Sequence, residues 1–139
     1  MAQTIREVMT EGLLTCPPSA SVTDVAKQMK EGNTGGIVVV EGGELHGLVT
    51  DRDIVVRTVA AGEDPGATQA GDICTSELHT LSPDDSAEDA VDLLREHDVR
   101  RIPVVDGDRP VGIVTIGDLA IARDEKSALA DISAASPNN

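Results

Sequence analysis

Apolar positions along this chain change period in the same order twice. Behind Ser21 they fall at Val22, Val25, Ala26 and Met29, and behind Ser86 at Ala87, Ala90, Val91 and Leu94, the spacing of a single helical face. Each serine has an acidic residue three places on, Asp24 and Asp89, so both read as helix N-caps with a carboxylate at the positive end of the dipole. Gly32-Asn33 is a stop signal for the first of these helices. Short apolar runs follow at 37–40 and 45–49, and again at 102–105 and 111–114. They are joined by Glu41-Gly42-Gly43-Glu44 and Asp106-Gly107-Asp108-Arg109, which predicts two hairpins. Further strands at 13–16 and 78–81 and second helices after Asp53 and Asp118 complete a β-α-β-β-α order in each half. Thr4 and Glu7 have the spacing to cap a short leading helix.

The two halves are one unit written twice. Gly47-Leu48-Val49-Thr50-Asp51-Arg52-Asp53 returns 65 residues on as Gly112-Ile113-Val114-Thr115-Ile116-Gly117-Asp118. The same ungapped displacement pairs Thr10 with Thr75, Leu13 with Leu78, Pro18 with Pro83, Ser21 with Ser86 and Gly42 with Gly107. The expected division is residues 1–62 for the first repeat with its leading segment, 63–70 for a linker, 71–124 for the second repeat, and 125–139 for a tail with a disordered end. A three-stranded sheet with helices on one face leaves its other face bare, so an α+β fold is expected. In it the two sheets pack face to face about a pseudo-twofold axis, with two related clefts between the repeats. Apolar helix positions left over at Ile54, Val55, Val59, Leu119 and Ile121 argue for a homodimer.

Composition narrows the function classes. Among 139 residues, 25 acidic against 11 basic side chains give a net charge of −14, which disfavours nucleic acid and anionic membranes as partners. No apolar run approaches the roughly 20 residues of a membrane span, and residues 1–4 lack signal-peptide character, so a cytoplasmic location is expected. Cys16 and Cys74 form no CxxC, and His46, His79 and His97 share no ligand spacing, so neither a metal site nor a disulfide framework is expected. A Cys16–His79 catalytic pair is weak because Cys16 aligns with Leu81, an apolar strand position. The chain has no Phe, Tyr or Trp, so any bound purine must lie between aliphatic side chains and backbone.

Val99-Arg100-Arg101-Ile102-Pro103-Val104-Val105-Asp106, with the two Gly-x-Val-Thr-x-x-Asp segments at 47–53 and 112–118, resembles the cystathionine β-synthase, or CBS, domain family over the chain up to about Arg123. The stretch from Leu45 to Val55, followed by Ala60-Ala61-Gly62 and Asp64-Pro65, is similar in particular to short stand-alone CBS pairs of the hypoxic response protein type. The resemblance implies a regulatory module, not an enzyme, that binds AMP, ADP, ATP, NAD or S-adenosylmethionine, with or without magnesium, without a tightly held cofactor. It implies action in trans on an unknown protein partner, in stress or energy sensing.

Carried over by position, the resemblance implies that Thr50 and Asp53 serve one cleft and Thr115 and Asp118 the other, the threonine toward phosphate and the aspartate toward the ribose hydroxyls. A carboxylate accepts both hydroxyls of a ribose diol, while a hydroxyl and helix N-terminal amides meet phosphate. The same Thr-x-x-Asp spacing makes a capping box with no ligand at all, so a ligand-free dimeric scaffold is the alternative. Phosphate needs local positive charge, which Arg100, Arg101 and Arg52 offer. Gly35-Gly36 replace the arginine pair in the first repeat, so the clefts are expected to differ. Leu13, Leu14, Thr34, Gly35 and Ile113 are expected to line the cleft holding Asp118, and Leu78, His79, Val99 and Leu48 the one holding Asp53.

Overall fold

The computed structural model describes residues 3–123; the tail expected at 125–139 lies outside them. In chain order the elements are α1 (Ile5–Val8), β1 (Thr15–Cys16), α2 (Val22–Gly32), β2 (Gly36–Glu41), β3 (Glu44–Thr50), α3 (Asp51–Ile54) running into a π-helical turn (Val55–Val59), α4 (Ala70–Ile73), α5 (Ala87–His97), β4 (Arg101–Asp106), β5 (Arg109–Thr115) and α6 (Ile116–Arg123). This α+β content divides into two compact units. The first holds residues 14–78, the second residues 3–13 with 79–123.

In the first unit β1 runs parallel to β2, with Cys16 beside Val39, and β2 runs antiparallel to β3. Thr75 extends the sheet on the far side of β3, its amide and carbonyl both bonded to Leu48 at 2.9 and 3.0 Å. Cys16, Ile37, Val39 and Val49 bury one sheet face against Val22, Val25 and Met29 of α2 and Ala70 and Ile73 of α4. α2 forms as its sequence directs. The Ser21 hydroxyl accepts the Asp24 amide at 3.1 Å, and Asn33 closes the helix in the left-handed region at φ 51°. Ala26 is exposed, so the buried stripe is narrower than its apolar spacing suggested. Residues 63–70 are tied down at several points. The amides of Val22, Ala70 and Gly71 donate to the carbonyls of Thr68, Ala20 and Pro18, so this segment is strapped to the start of α2.

The second unit has a two-stranded sheet, β4 antiparallel to β5, and the strand expected at 78–81 contracts to a single parallel bridge from Leu81 to Val104. The other edge is closed by Thr10, which exchanges both backbone hydrogen bonds with Ile113 at 2.8 and 3.1 Å. α1 belongs here. The amides of Ile5 and Arg6 donate to Asp85 and Pro83, and Ile5 is fully buried with Leu81, Ala90, Ile102, Val104, Val114 and Leu119. Sequence repeat and compact unit therefore do not coincide. The segment leading into each repeat completes the other unit, α1 and Thr10 closing the second, α4 and Thr75 the first. Each hairpin leaves one edge of unpaired backbone groups, and an incoming segment satisfies them.

The leftover apolar faces differ from the sequence expectation at two positions. Leu119 is buried in the second core, and Ile54 packs on the first. Among the described residues Val55, Val56, Val59 and Ile116 are the large apolar side chains left outward, at 58, 48, 63 and 51% exposure.

Beyond Ile54 the helix widens, the Ala60 amide reaching back five residues to the Val55 carbonyl at 2.8 Å. The β-branched run Val55-Val56, followed by Thr58-Val59, crowds an ordinary α-helical turn, and the wider turn relieves it. It also buries the Thr58 hydroxyl completely, with no hydrogen-bond partner among the described residues. An orphaned buried hydroxyl costs about 1–3 kcal/mol, so Thr58→Val is expected to stabilise the protein by about 1 kcal/mol in urea denaturation. A loss of stability would show that the hydroxyl is satisfied by an internal water.

Candidate functional site

The distinctive polar chemistry sits where each hairpin turns into a helix. Thr50 and Thr115 end β3 and β5 in extended conformation and cap α3 and α6. Their hydroxyls each accept the amide of the aspartate three residues on, at 3.1 Å in both cases. The aspartates reciprocate, Asp53 Oδ2 accepting the Thr50 amide at 2.9 Å and Asp118 Oδ2 the Thr115 amide at 3.0 Å. Both capping boxes are complete without a ligand. Neither exhausts its groups, because each hydroxyl keeps its hydrogen and each carboxylate keeps lone pairs.

The two boxes differ in what holds the second carboxylate oxygen. Asp118 Oδ1 accepts a hydrogen bond from the Thr10 hydroxyl at 3.0 Å. Asp53 Oδ1 lies 3.8 Å from Arg57 Nε, and the same guanidinium donates to the Ile73 carbonyl at 3.1 Å. Neither partner was expected from sequence. Thr10 carried a signal in its alignment with Thr75. Arg57 carried none, since its repeat counterpart is Ala122.

The other expected residues distribute as follows. The second unit carries Leu13, His79, Val99, Arg100, Arg101, Ile113, Thr115 and Asp118; the first carries Leu14, Thr34, Gly35, Leu48, Thr50, Arg52, Asp53 and Leu78. Arg101 lies directly across the ladder from Thr115, so both side chains leave the same face of the hairpin, and the Arg100 carbonyl accepts the Ile116 amide at 3.3 Å. Arg100 is exposed and Arg101 half-buried. In the first unit Gly36 takes the place across from Thr50, without a side chain. Arg52 is exposed. Ile113 is the strand partner of Thr10, Leu48 is buried, and Val99 packs on the second core. Thr34 bonds locally to Gly36.

His79 is exposed and stacks on His97, with ring centroids 3.6 Å apart and planes inclined by 18°. Leu14 and Gly32 occupy the equivalent positions in the first repeat, where Leu14 Cδ1 fills the space a β-carbon on Gly32 would take. Near-parallel rings direct their nitrogen lone pairs side by side, not toward one point. Among the described residues no three His, Cys, Asp or Glu side chains are grouped to hold a metal ion.

Cys16 is buried, and Cys74 sits over the notch left by Gly47. Burial raises both thiols above their ordinary value of 9.0, with each other's proximity a smaller cause at Cys16 and Asp53 a smaller cause at Cys74. A nucleophilic cysteine needs the opposite shift, so both behave as packing groups at neutral pH. They also lie on opposite sides of the sheet, beyond β2 and β3 respectively.

Two copies of one α+β unit, each ending its hairpin in a Thr-x-x-Asp helix start, define a tandem-repeat module whose characteristic groups are hydrogen-bonding caps. The chain belongs to the CBS domain family, whose sequence pattern matches residues 5–58 and 70–125. It is 43% identical over 117 residues to CBS domain-containing protein YhcV of Bacillus subtilis, covering 84% of this chain and 83% of that protein. It is 35% identical over 118 residues to Hypoxic response protein 1 of Mycobacterium tuberculosis, covering 84% and 82%. A crystal structure of Hypoxic Response Protein I with two coordinated zinc ions matches with a TM-score of 0.77 and 34% identity, over 86% of this chain and 98% of that one. The CBS domain pair of protein MJ0100, solved in complex with 5′-methylthioadenosine and S-adenosyl-L-methionine, shares the fold at a TM-score of 0.82 and 22% identity, over 91% and 100%. No helix among the described residues is long and apolar enough to cross a membrane.

Proposed function

We propose that this protein is a regulatory adenosyl-ligand binding module that acts in trans in the cytoplasm, as a homodimer, and has no catalytic activity of its own. The observation that carries the reading is the Asp118 carboxylate. It is held in place by two hydrogen bonds, retains a lone pair on each oxygen, and lies three residues from Thr115, which faces Arg101 across the hairpin. That set offers two acceptors for a ribose diol and, from the Thr115 hydroxyl and Arg101, donors for phosphate. The adenosyl complex of the MJ0100 pair supports the ligand class through the shared fold. The outward Val55, Val59 and Ile116 support self-association.

The test is calorimetric titration and thermal denaturation with AMP, ATP with and without magnesium, NAD and S-adenosylmethionine. At least one ligand is expected to bind saturably and raise the melting temperature, and Asp118→Ala is expected to weaken it at least about tenfold, the loss of a hydrogen-bonded charged group. Unliganded stability of the variant must be measured beside it, because the substitution also removes half of a capping box, about 1 kcal/mol. Because the chain lacks Phe, Tyr and Trp, a copurified adenine also stands out near 260 nm.

One observation favours a second reading, a ligand-free interaction scaffold. Both boxes are closed by their own backbone bonds, as pure capping requires. No response to any ligand of the panel establishes that reading in place of the first.

A further inference from the structure

We propose that Thr10 is the positioning residue for the Asp118 carboxylate and makes the second unit's motif selective for a ribose that carries both hydroxyls. The inference rests on the adenosyl reading above and deepens it. Thr10 is itself fixed. Its backbone exchanges two hydrogen bonds with Ile113 on the edge of β5, and the neighbouring Met9 sulfur lies over Gly112. From that position its hydroxyl takes one lone pair of Oδ1 at 3.0 Å, while the Thr115 amide takes one of Oδ2 at 3.0 Å. A carboxylate has about four acceptor positions, two on each oxygen. The two donors bind different oxygens, so they lock the plane of the group and leave one acceptor on each side. Two acceptors on one fixed plane match the two hydroxyls of a cis-diol.

The first unit lacks this arrangement. Thr75 is the counterpart of Thr10 and pairs with Leu48 in the same way, yet Asp53 Oδ1 faces Arg57 instead of a hydroxyl. A guanidinium at 3.8 Å offsets the carboxylate's charge and competes with an incoming diol for that oxygen. A neutral hydroxyl leaves the Asp118 charge in force. The repeats thus present the same Thr-x-x-Asp spacing with different acceptor strength, and the poised one is in the repeat that carries Arg100 and Arg101.

The test compares AMP with 2′-deoxy-AMP by calorimetry in an Asp53→Asn background, which leaves the second motif as the only ionised one. With Thr10 intact, AMP is expected to bind about tenfold more tightly than 2′-deoxy-AMP, the contribution of one hydrogen bond to a charged acceptor. Thr10→Val is expected to weaken AMP about fivefold and bring the preference below about threefold, and Thr10→Ser is expected to restore it. Thr10 is exposed and its backbone bonds survive either change, so a urea midpoint close to the parent's identifies a folded variant. If Thr10→Val keeps the full preference for AMP, the assignment of Thr10 is overturned while the nucleotide reading stands. If neither nucleotide binds even with Thr10 and Asp53 both intact, the nucleotide reading falls and takes this inference with it.

Discussion

Ile5→Ala is expected to lower the unfolding free energy by about 3–4 kcal/mol, with the loss concentrated in the second unit. Ile5 is fully buried, and its neighbours in the core are Leu81, Ile102, Val104, Val114 and Leu119. Truncating a fully buried isoleucine removes its transfer free energy and leaves a cavity, a combination that costs about 2–5 kcal/mol. The core has no aromatic ring to slide into the gap, and collapse is opposed by α1, whose amides are pinned to Asp85 and Pro83. Urea denaturation measures the total, and native-state hydrogen exchange locates it. Amides of β4 and β5 are expected to lose protection while those of β2 and β3 keep it. Were β2 and β3 to lose protection while β4 and β5 held, α1 would belong with the first repeat, as its place in the sequence suggests, and the interlaced connectivity would be wrong.

The second large effect is expected at Gly47, with Gly112 as its internal control. A β-carbon on Gly47 would lie 2.7 Å from the Cys74 sulfur and 2.9 Å from the Thr75 carbonyl oxygen. A β-carbon on Gly112 would lie 2.5 Å from the Met9 sulfur and 3.1 Å from the Thr10 carbonyl. The methionine is long and can swing away. Cys74 has a single torsion, and the Thr75 carbonyl is committed to the Leu48 amide. Gly47→Ala is therefore expected to cost about 2–3 kcal/mol by overpacking, and Gly112→Ala about 1 kcal/mol. Equal costs at the two glycines would show that the Thr75 strand yields as readily as a methionine side chain.

Several features of the candidate site were legible in the residues. Thr50 with Asp53, and Thr115 with Asp118, form the boxes their three-residue spacing allows. The pairing of Arg101 with Thr115 was not: the turn at Asp106-Gly107-Asp108-Arg109 alone would set Arg101 across from Val114, and a one-residue register shift between Val104 and Val105 brings it onto the face of Thr115. The third strand expected at 78–81 shrank to the Leu81 bridge, since the polar residues Glu77, His79 and Thr80 give that segment little apolar surface to bury. Leu119 looked like a surface position and is a core one, because α6 turns that face onto Ile102 and Val114. The widened turn at Val55–Val59 had only its β-branched run as a signal, and the orphaned Thr58 had none.

The sequence by itself determined the repeat, the alternation of helix and strand, the caps at Ser21, Ser86, Thr50 and Thr115, and membership of the CBS family. Each depends on side chains acting within three or four residues of their own backbone, or on a pattern repeated at constant spacing. Only the tertiary structure decided that α1 completes the second unit and that Thr10 meets Asp118, a pairing across 108 residues of chain, while Arg57 meets Asp53. Those choices follow from which open strand edge and which notch above a glycine an incoming segment can fill, and volume and unpaired backbone groups become definite only once the sheets exist.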